Sequence, residues 1–507
     1  MKKQKKLILI MLAVLVVLGG AIAFLLLSDS DSDASDETSE LSEEDTSLIT
    51  HEESDIVAIT VKNTYGSFSF YPTEVEEESS DDSSDSSSDD SSSSESSDSS
   101  TSFVYSITGY EDRDVNTSTL STAAMAFYDL DYTKEIGEVE DEAQFGLDGS
   151  IVATCVYKDG TGEEIEIGDV PASSSGRYIK YNGKVYIASI NSAYTDKMES
   201  LFTAASWDID YLTKETESSE SSDDSSSSST STETYSILES LKISGTCNAS
   251  GVEVAYDSET EKYNLVSPIK AEASSDKIDD LITSLLNYSA NETVNLDPTD
   301  EDLESYGLKD PYAVLEIKLN GESHKITIGG EVDSSRYCLM DDDKTVYSIY
   351  QSKISDWAEC NASEYREANV ITDSLSDLCE LKFDVDGKTS DITVTREEDE
   401  SSSTDSTVYY SYTSYADGDE IVYSYVNELY SKLSDMSVLN IKQMDHETNA
   451  YIQIKLTTFD GDSKTIEFYK SLENSSRYVV YIDGEYSCTV RSTSVDDLAE
   501  EFSNFLG

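Results

Sequence analysis

A chain of 507 residues exceeds what one hydrophobic core organises, so several domains are expected. Its 104 Asp and Glu against 34 Lys and Arg leave a net charge of −70, which repels phosphate backbones, sets nucleic-acid binding aside and permits diffuse association with divalent cations. The hydrophobic fraction, 37%, is low because long Ser/Asp/Glu tracts dilute otherwise ordinary segments, and the aromatic content is carried by 34 Tyr against 12 Phe and 2 Trp.

The chain begins with a basic stub, 1–6, and an uncharged apolar run, 7–27. At 1.5 Å per residue this run spans about 31 Å, the hydrocarbon thickness of a bilayer. Lys2, Lys3, Lys5 and Lys6 precede it and no basic residue follows until Lys62. The positive-inside rule therefore predicts a single-pass cell-membrane anchor with a cytoplasmic N-terminus and an extracytoplasmic bulk. Ala21-Ile22-Ala23 leaves cleavage after Ala23 open, and either route exports the rest. Residues 28–50 then read as an acidic linker.

Self-comparison predicts three copies of one unit with a period of about 150 residues. The first, 51–212, opens with the strand pair IVAITVKNTYGSFSFY and a third strand, FVYSITGY, separated by a Ser/Asp insert at 73–102. Phe145-Gly146-Leu147 follows, then IVATCVYKDGTGEEIEIG, Arg177-Tyr178 and IKYNGKVYIASI, with a closing helix expected over 192–205. A second acidic, Ser-rich linker, 213–234, is expected to be a disordered spacer. The middle copy, 235–370, repeats the scheme with LESLKISG, VEVAY, a short loop at 257–262 and YNLVSP. Its helix is predicted over 275–288 behind a Ser275 cap, with Ile278, Ile282 and Leu285 at helical spacing. Tyr306-Gly307-Leu308, AVLEIKLNGESHKITIGG, Arg336-Tyr337 and a helix at 352–357 complete it. The third copy, 371–507, carries an insert at 397–406, helices at 419–433 and 495–506, and Arg477-Tyr478, but no aromatic-Gly-Leu turn. Each copy reads β-β-β-α-β-β-β-β-α, so the fold class is α+β: tandem, mainly antiparallel repeats behind one transmembrane helix.

The recurring residues Gly146, Leu147, Arg177, Tyr178, Gly307, Leu308, Arg336, Tyr337, Arg477 and Tyr478 are candidates for a structural or interaction motif. Turn geometry and an Arg stem lying over the sheet account for them on structural grounds. A ligand role is the alternative. Six cysteines, at 155, 247, 338, 360, 379 and 488, form no C-x-x-C pair; their apolar settings favour free buried thiols over disulfides. The three histidines, His51, His324 and His446, make no H-E-x-x-H helix, and His324 is expected to be solvated in a strand turn. No G-x-S-x-G occurs, and Gly387-Lys388-Thr389 lacks the upstream glycine of a phosphate loop. No cofactor, metal site or catalytic constellation is expected.

The segments YNLVSPIKAEASSDKIDDLITSLLN, Tyr306-Gly307-Leu308-Lys309-Asp310-Pro311, ITIGG and TVYSIY resemble the domain-of-unknown-function family 4340. The likeness is closest over 235–357, partial over 51–207 and weak after 371. The resemblance implies a membrane-anchored bacterial protein with repeated α+β units, often associated with ABC-type export systems. It supplies no activity and no catalytic residues. The expectation is an extracytoplasmic accessory or scaffold protein whose partner is an ABC-type permease or another envelope protein. A cell-surface binding module for wall polymer or a small ligand is the alternative.

Overall fold

A computed structural model describes residues 46–75, 102–172, 175–217, 230–248, 250–399 and 408–507. The expected anchor, 7–27, lies outside the described residues, as do most of the first acidic linker and the centres of all three Ser-rich tracts. Among the described residues no helix is long and apolar enough to cross a membrane. The chain divides into two compact units, one ending at Thr203 and the other beginning at Ala204.

The first unit is built on one nine-stranded antiparallel sheet. Its strands are β1 (Ser47–Thr50), β2 (Ile56–Asn63), β3 (Gly66–Val75), β4 (Ser102–Ile107), β5 (Asp129–Gly137), β6 (Val152–Tyr157), β7 (Gly162–Ile167), β8 (Arg177–Tyr181) and β9 (Lys184–Ala188). They lie in the order β1-β5-β9-β8-β7-β6-β2-β3-β4. Period-two alternation puts Ile59, Phe70, Ala153, Cys155, Ile165 and Ile179 on the buried face, and Thr60, Thr154 and Glu164 on the other. The helix Thr117–Ala124, capped by Asn116, covers the apolar face with Leu120, Ala123 and Ala124. Strand β5 was not foreseen: only Leu130 is buried within it, which leaves no hydrophobic alternation to read. The closing helix expected at 192–205 is instead two 3-10 turns, Ser192–Tyr194 and Met198–Leu201. The physical reason is Asn63, whose Nδ2 donates to the carbonyls of Tyr194 and Asp196 at 3.3 and 2.8 Å and withdraws them from a helical ladder.

The second unit holds two further antiparallel sheets and a hairpin. The hairpin pairs β10 (Leu212–Glu217) with β11 (Thr230–Tyr235), so the ends of the expected spacer at 213–234 are paired strands. Residues 204–212, assigned from sequence to the first repeat, pack here: Trp207 and Ile209 lie in the core beneath the middle sheet. That sheet comprises β12 (Leu238–Ser244), β13 (Val252–Asp257), β14 (Lys262–Ser267), β15 (Ala271–Glu272), β16 (Glu292–Asn295), β17 (Ala313–Leu319), β18 (Glu322–Val332), β19 (Ser335–Met340) and β20 (Val346–Tyr350). Its order is β15-β14-β13-β12-β17-β18-β19-β20-β16. The helix Ser275–Leu285 buries Ile278, Leu281, Ile282 and Leu285; its cap is Ser274, one residue before the expected position, because the Ser274 hydroxyl accepts from Lys277 N–H.

The last sheet comprises β21 (Leu378–Val385), β22 (Lys388–Glu398), β23 (Tyr410–Ala416), β24 (Asp419–Ile421), β25 (Ile452–Thr458), β26 (Ser463–Lys470), β27 (Arg477–Ile482) and β28 (Glu485–Arg491), in the order β24-β23-β22-β21-β25-β26-β27-β28. Two helices, Tyr423–Ser434 and Ser492–Phe505, cover its apolar face. The first starts later than the expected 419 because Asp419–Ile421 turns back to pair with β23. Asn182-Gly183, Asn320-Gly321, Asp386-Gly387 and Asp483-Gly484 each adopt paired positive φ angles, the two-residue hairpin turn whose twist matches its strands. In every sheet the first strand of an N-terminal hairpin (β2, β12, β21) pairs with the first strand of a four-stranded meander (β6, β17, β25).

Candidate functional site

Eight of the ten recurring residues come together in two like sets of contacts, one in the first unit's sheet and one in the middle sheet. In the first unit Gly146 takes a φ of +70°, and the carbonyl of Phe145 accepts from Asp169 N–H at 2.8 Å. A methyl group on Gly168 would lie 2.2 Å from that carbonyl, so the close approach requires glycine. Leu147 is buried against the same glycine, Arg177 Nη1 donates to its carbonyl at 3.0 Å, and the Tyr178 ring packs edge-on against Phe145 at 4.9 Å. The middle sheet repeats each contact. Gly307 has a φ of +71°, Gly330 N–H donates to the Tyr306 carbonyl at 2.7 Å, and Arg336 Nη1 donates to the Gly329 carbonyl at 3.0 Å. Leu308 is buried there and Tyr337 packs on Tyr306 at 4.5 Å.

Arg336 is more than a stem over the sheet. It is 7% exposed, with its guanidinium 3.6 Å above the Tyr312 ring and Nη2 2.7 Å from Glu331. Stacked and hydrogen-bonded in this way, its cationic group is committed to the fold. In the last sheet the Arg477 side chain donates to the neighbouring Ser476 carbonyl, while Tyr478 is buried against Tyr451. The motif is a clasp in two sheets and is dismantled in the third.

A different feature faces outward. The open face of the middle sheet forms a groove of about 710 Å³. Across it, register aligns Glu253, Lys242, Glu316 and Lys325 in one row over β13, β12, β17 and β18. Lys242 lies 3.1 Å from Glu253 and Lys325 3.0 Å from Glu316, so charge alternates across four strands. Hydrogen bonding to Glu253 holds the Lys242 ammonium above its ordinary value. Lys318, Ser323, Asp341 and Asp342 extend the lining. The equivalent rows differ: Ser69, Thr60, Thr154 and Glu164 in the first sheet, and Asp391, Lys382, Lys455 and Thr465 in the last. Such rows can hydrogen-bond and ion-pair with a polar surface laid across them.

His324, expected in solvent, sits at one end of this groove with its side chain 12% exposed. Its ring packs on Trp207 at 4.9 Å, and Nδ1 lies 3.2 Å from Asp341. The reason is the chain crossing at Trp207, which no local pattern announces. His51 packs on Tyr157, and His446 lies between Tyr469 and Tyr481. All six cysteines are free thiols. Among the described residues no cluster of His, Cys, Asp or Glu could hold a metal ion.

Sequence reasoning also missed Arg366, at the joint between the two sheets of the second unit. It is 5% exposed and donates to the carbonyls of Glu367 and Asn369 at 2.6 and 2.7 Å. Its Nη2 reaches Ser487 Oγ on β28 at 3.1 Å. Burial lowers its pKa, against the raising pull of Cys488, Glu367, Tyr486 and Glu272. Around it Ala273 bridges to Arg366, Asn369 bridges to Ser437, Glu272 bonds Thr372, and Lys270 pairs with Glu485.

With this geometry in hand, comparison with known proteins can be read: the family model described as domain of unknown function (DUF4340) matches residues 263–455. Over these residues the chain is similar to the DUF4340 family. No curated protein and no solved structure matches the chain. The DUF4340 segment runs from β14 in the middle sheet to β25 in the last. It therefore extends past 371, where the likeness read weakest, and straddles the Arg366 joint.

Proposed function

We propose that this chain is an extracytoplasmic, membrane-anchored scaffold or accessory protein, non-catalytic, that docks against an ABC-type permease or another envelope protein. The observation that carries the reading is the shared design of the three sheets. Each buries one face and turns a polar row outward, and the rows differ in chemistry from sheet to sheet. We read the three as tandem copies of one α+β unit, kept alike in connectivity and varied at the open face, as a protein presenting several docking surfaces requires. The apolar run at 7–27 supports a single-pass anchor with the bulk outside.

A second reading rests on the groove of the middle sheet, whose alternating Lys and Glu suit a polar wall polymer or small ligand. Affinity capture of the full chain from gently solubilised native membranes, followed by mass spectrometry, separates the two. A stoichiometric permease and ATPase would support the scaffold. Clean recovery without partners, together with retention of wall glycan by the full chain, would sink it in favour of the binding module.

A further inference from the structure

The outer strand of the first sheet is unfinished. In the middle sheet the equivalent strand, β14, is covered by β15, with Leu265 opposite Ala271 and Asn264 opposite Glu272. In the last sheet β23 is covered by β24, with Ser414 opposite Ile421. Among the described residues strand β4 carries no such cover and ends the sheet.

Its register with β3 fixes which backbone groups are free. Thr108 N–H donates to the Ser69 carbonyl at 2.8 Å, and Tyr71 faces Ser106 while Thr73 faces Val104. Residues 102, 104, 106 and 108 thus turn their amides toward β3, and the N–H groups of Phe103, Tyr105 and Ile107 point away from the sheet. Of the outward carbonyls, that of Ile107 is taken by Tyr110 N–H at 3.0 Å. The β3–β4 ladder has no bulge, and β4 carries no Lys or Pro, the usual devices that blunt an edge. Val104 is 38% exposed at its centre.

Charge says what fits there. Glu74 lies opposite Phe103, Glu53 accepts from the Tyr105 hydroxyl, and Glu111 and Asp112 follow the turn at the far end. Backbone N–H bonding from Gly109 holds the Glu111 carboxyl below its ordinary value. No Lys or Arg occurs between Lys62 and Arg113. We propose that β4 is a docking edge for an extended, Lys- or Arg-bearing peptide of a partner protein, which adds to the first sheet as a further antiparallel or parallel strand. Main-chain pairing supplies the contact, Val104 meets an apolar side chain, and the flanking carboxylates meet the cations. A second copy of this chain, bringing the same negative charge, is disfavoured. The surface stands whether or not the partner belongs to a transporter.

Hydrogen exchange read by mass spectrometry on the full chain, in about 0.15 M salt to screen non-specific attraction, tests this. The probe is a capped peptide of alternating Lys and Val, beside the same peptide N-methylated at alternate residues, which keeps the charge and removes strand pairing. The expected result is slowed exchange within 102–107 with the first peptide and at least tenfold weaker binding of the second. Phe103→Pro removes one outward N–H without touching the β3 ladder and should weaken the first peptide similarly. Val104→Lys, which leaves the backbone alone, should do so by repulsion. Unchanged exchange in β6 and β7 checks that both variants fold. Equal binding of the two peptides, protection elsewhere, or amides of Phe103, Tyr105 and Ile107 already protected without peptide (by the insert at 76–101 or a second copy) would overturn the proposal.

Discussion

Gly329 is where the clasp of the middle sheet is tightest, since a methyl group there would lie 2.3 Å from the Tyr306 carbonyl and 3.1 Å from the Leu308 side chain. Backbone cannot yield as a side-chain tip can, so Gly329→Ala is expected to destabilise the second unit by about 1–3 kcal/mol in urea unfolding. Gly321→Ala, with open space around its Cβ but a φ of +85°, should cost about 1 kcal/mol through backbone strain alone. Equal losses at the two positions would refute the clasp. Cys488 offers a second test. It is fully buried, and burial pushes its thiol from 9.0 up to about 11 although Arg366 pulls the other way. A raised folded value means stability fully present below pH 9 and lost as pH rises to about 11, because the unfolded thiol ionises first. Melting temperature should therefore fall across that window, and Cys488→Ala should flatten part of the fall. An identical slope in the variant would remove Cys488 from the account.

At the scale of elements, the strands were readable because alternation and paired-φ turns such as Asn320-Gly321 and Asp386-Gly387 act locally. The helix Ser275–Leu285 was readable for the same reason, and Ser274→Ala should cost the second unit about 1 kcal/mol, whereas Ser275→Ala should be nearly neutral in the same unfolding measurement. What failed in the sequence was decided from afar. Asn63 unmakes a helix more than a hundred residues downstream by taking the Tyr194 and Asp196 carbonyls. Trp207, expected in the first repeat, packs on Tyr288 and His324 in the second unit. Of the candidate residues, the Gly-Leu turn and the Arg-Tyr pair were found by recurrence, which reports a shared structural need and so led to a clasp. The open-face row of the middle sheet went unnoticed because Lys242, Glu253, Glu316 and Lys325 become neighbours only through register.

At the scale of the molecule, the two sheets of the second unit are held as one body by a residue that no periodicity marks. Arg366 ties the 365–372 crossing to Ser487 on β28, while that crossing pairs with Ala273 on one side and Ser437 on the other. Ile441 and Tyr486, which belong to the last sheet and its approach, pack against the core of the middle one. Shared apolar surface and shared hydrogen bonds make the two sheets cooperative, so they should unfold in one transition. Residues up to Thr203 form a separate compact unit and should unfold in another. Calorimetry of the full chain is then expected to resolve two transitions rather than three. Arg366→Ala strips the Glu367, Asn369 and Val370 carbonyls of their donor inside the joint, at about 1–3 kcal/mol for each group left unsatisfied. It should lower and broaden or split the transition of the second unit and leave that of the first where it was. Three transitions in the unsubstituted chain, or an Arg366→Ala variant that melts like it, would show that the sheets are only strung together, and that the DUF4340 segment spanning them has no mechanical unity to act with.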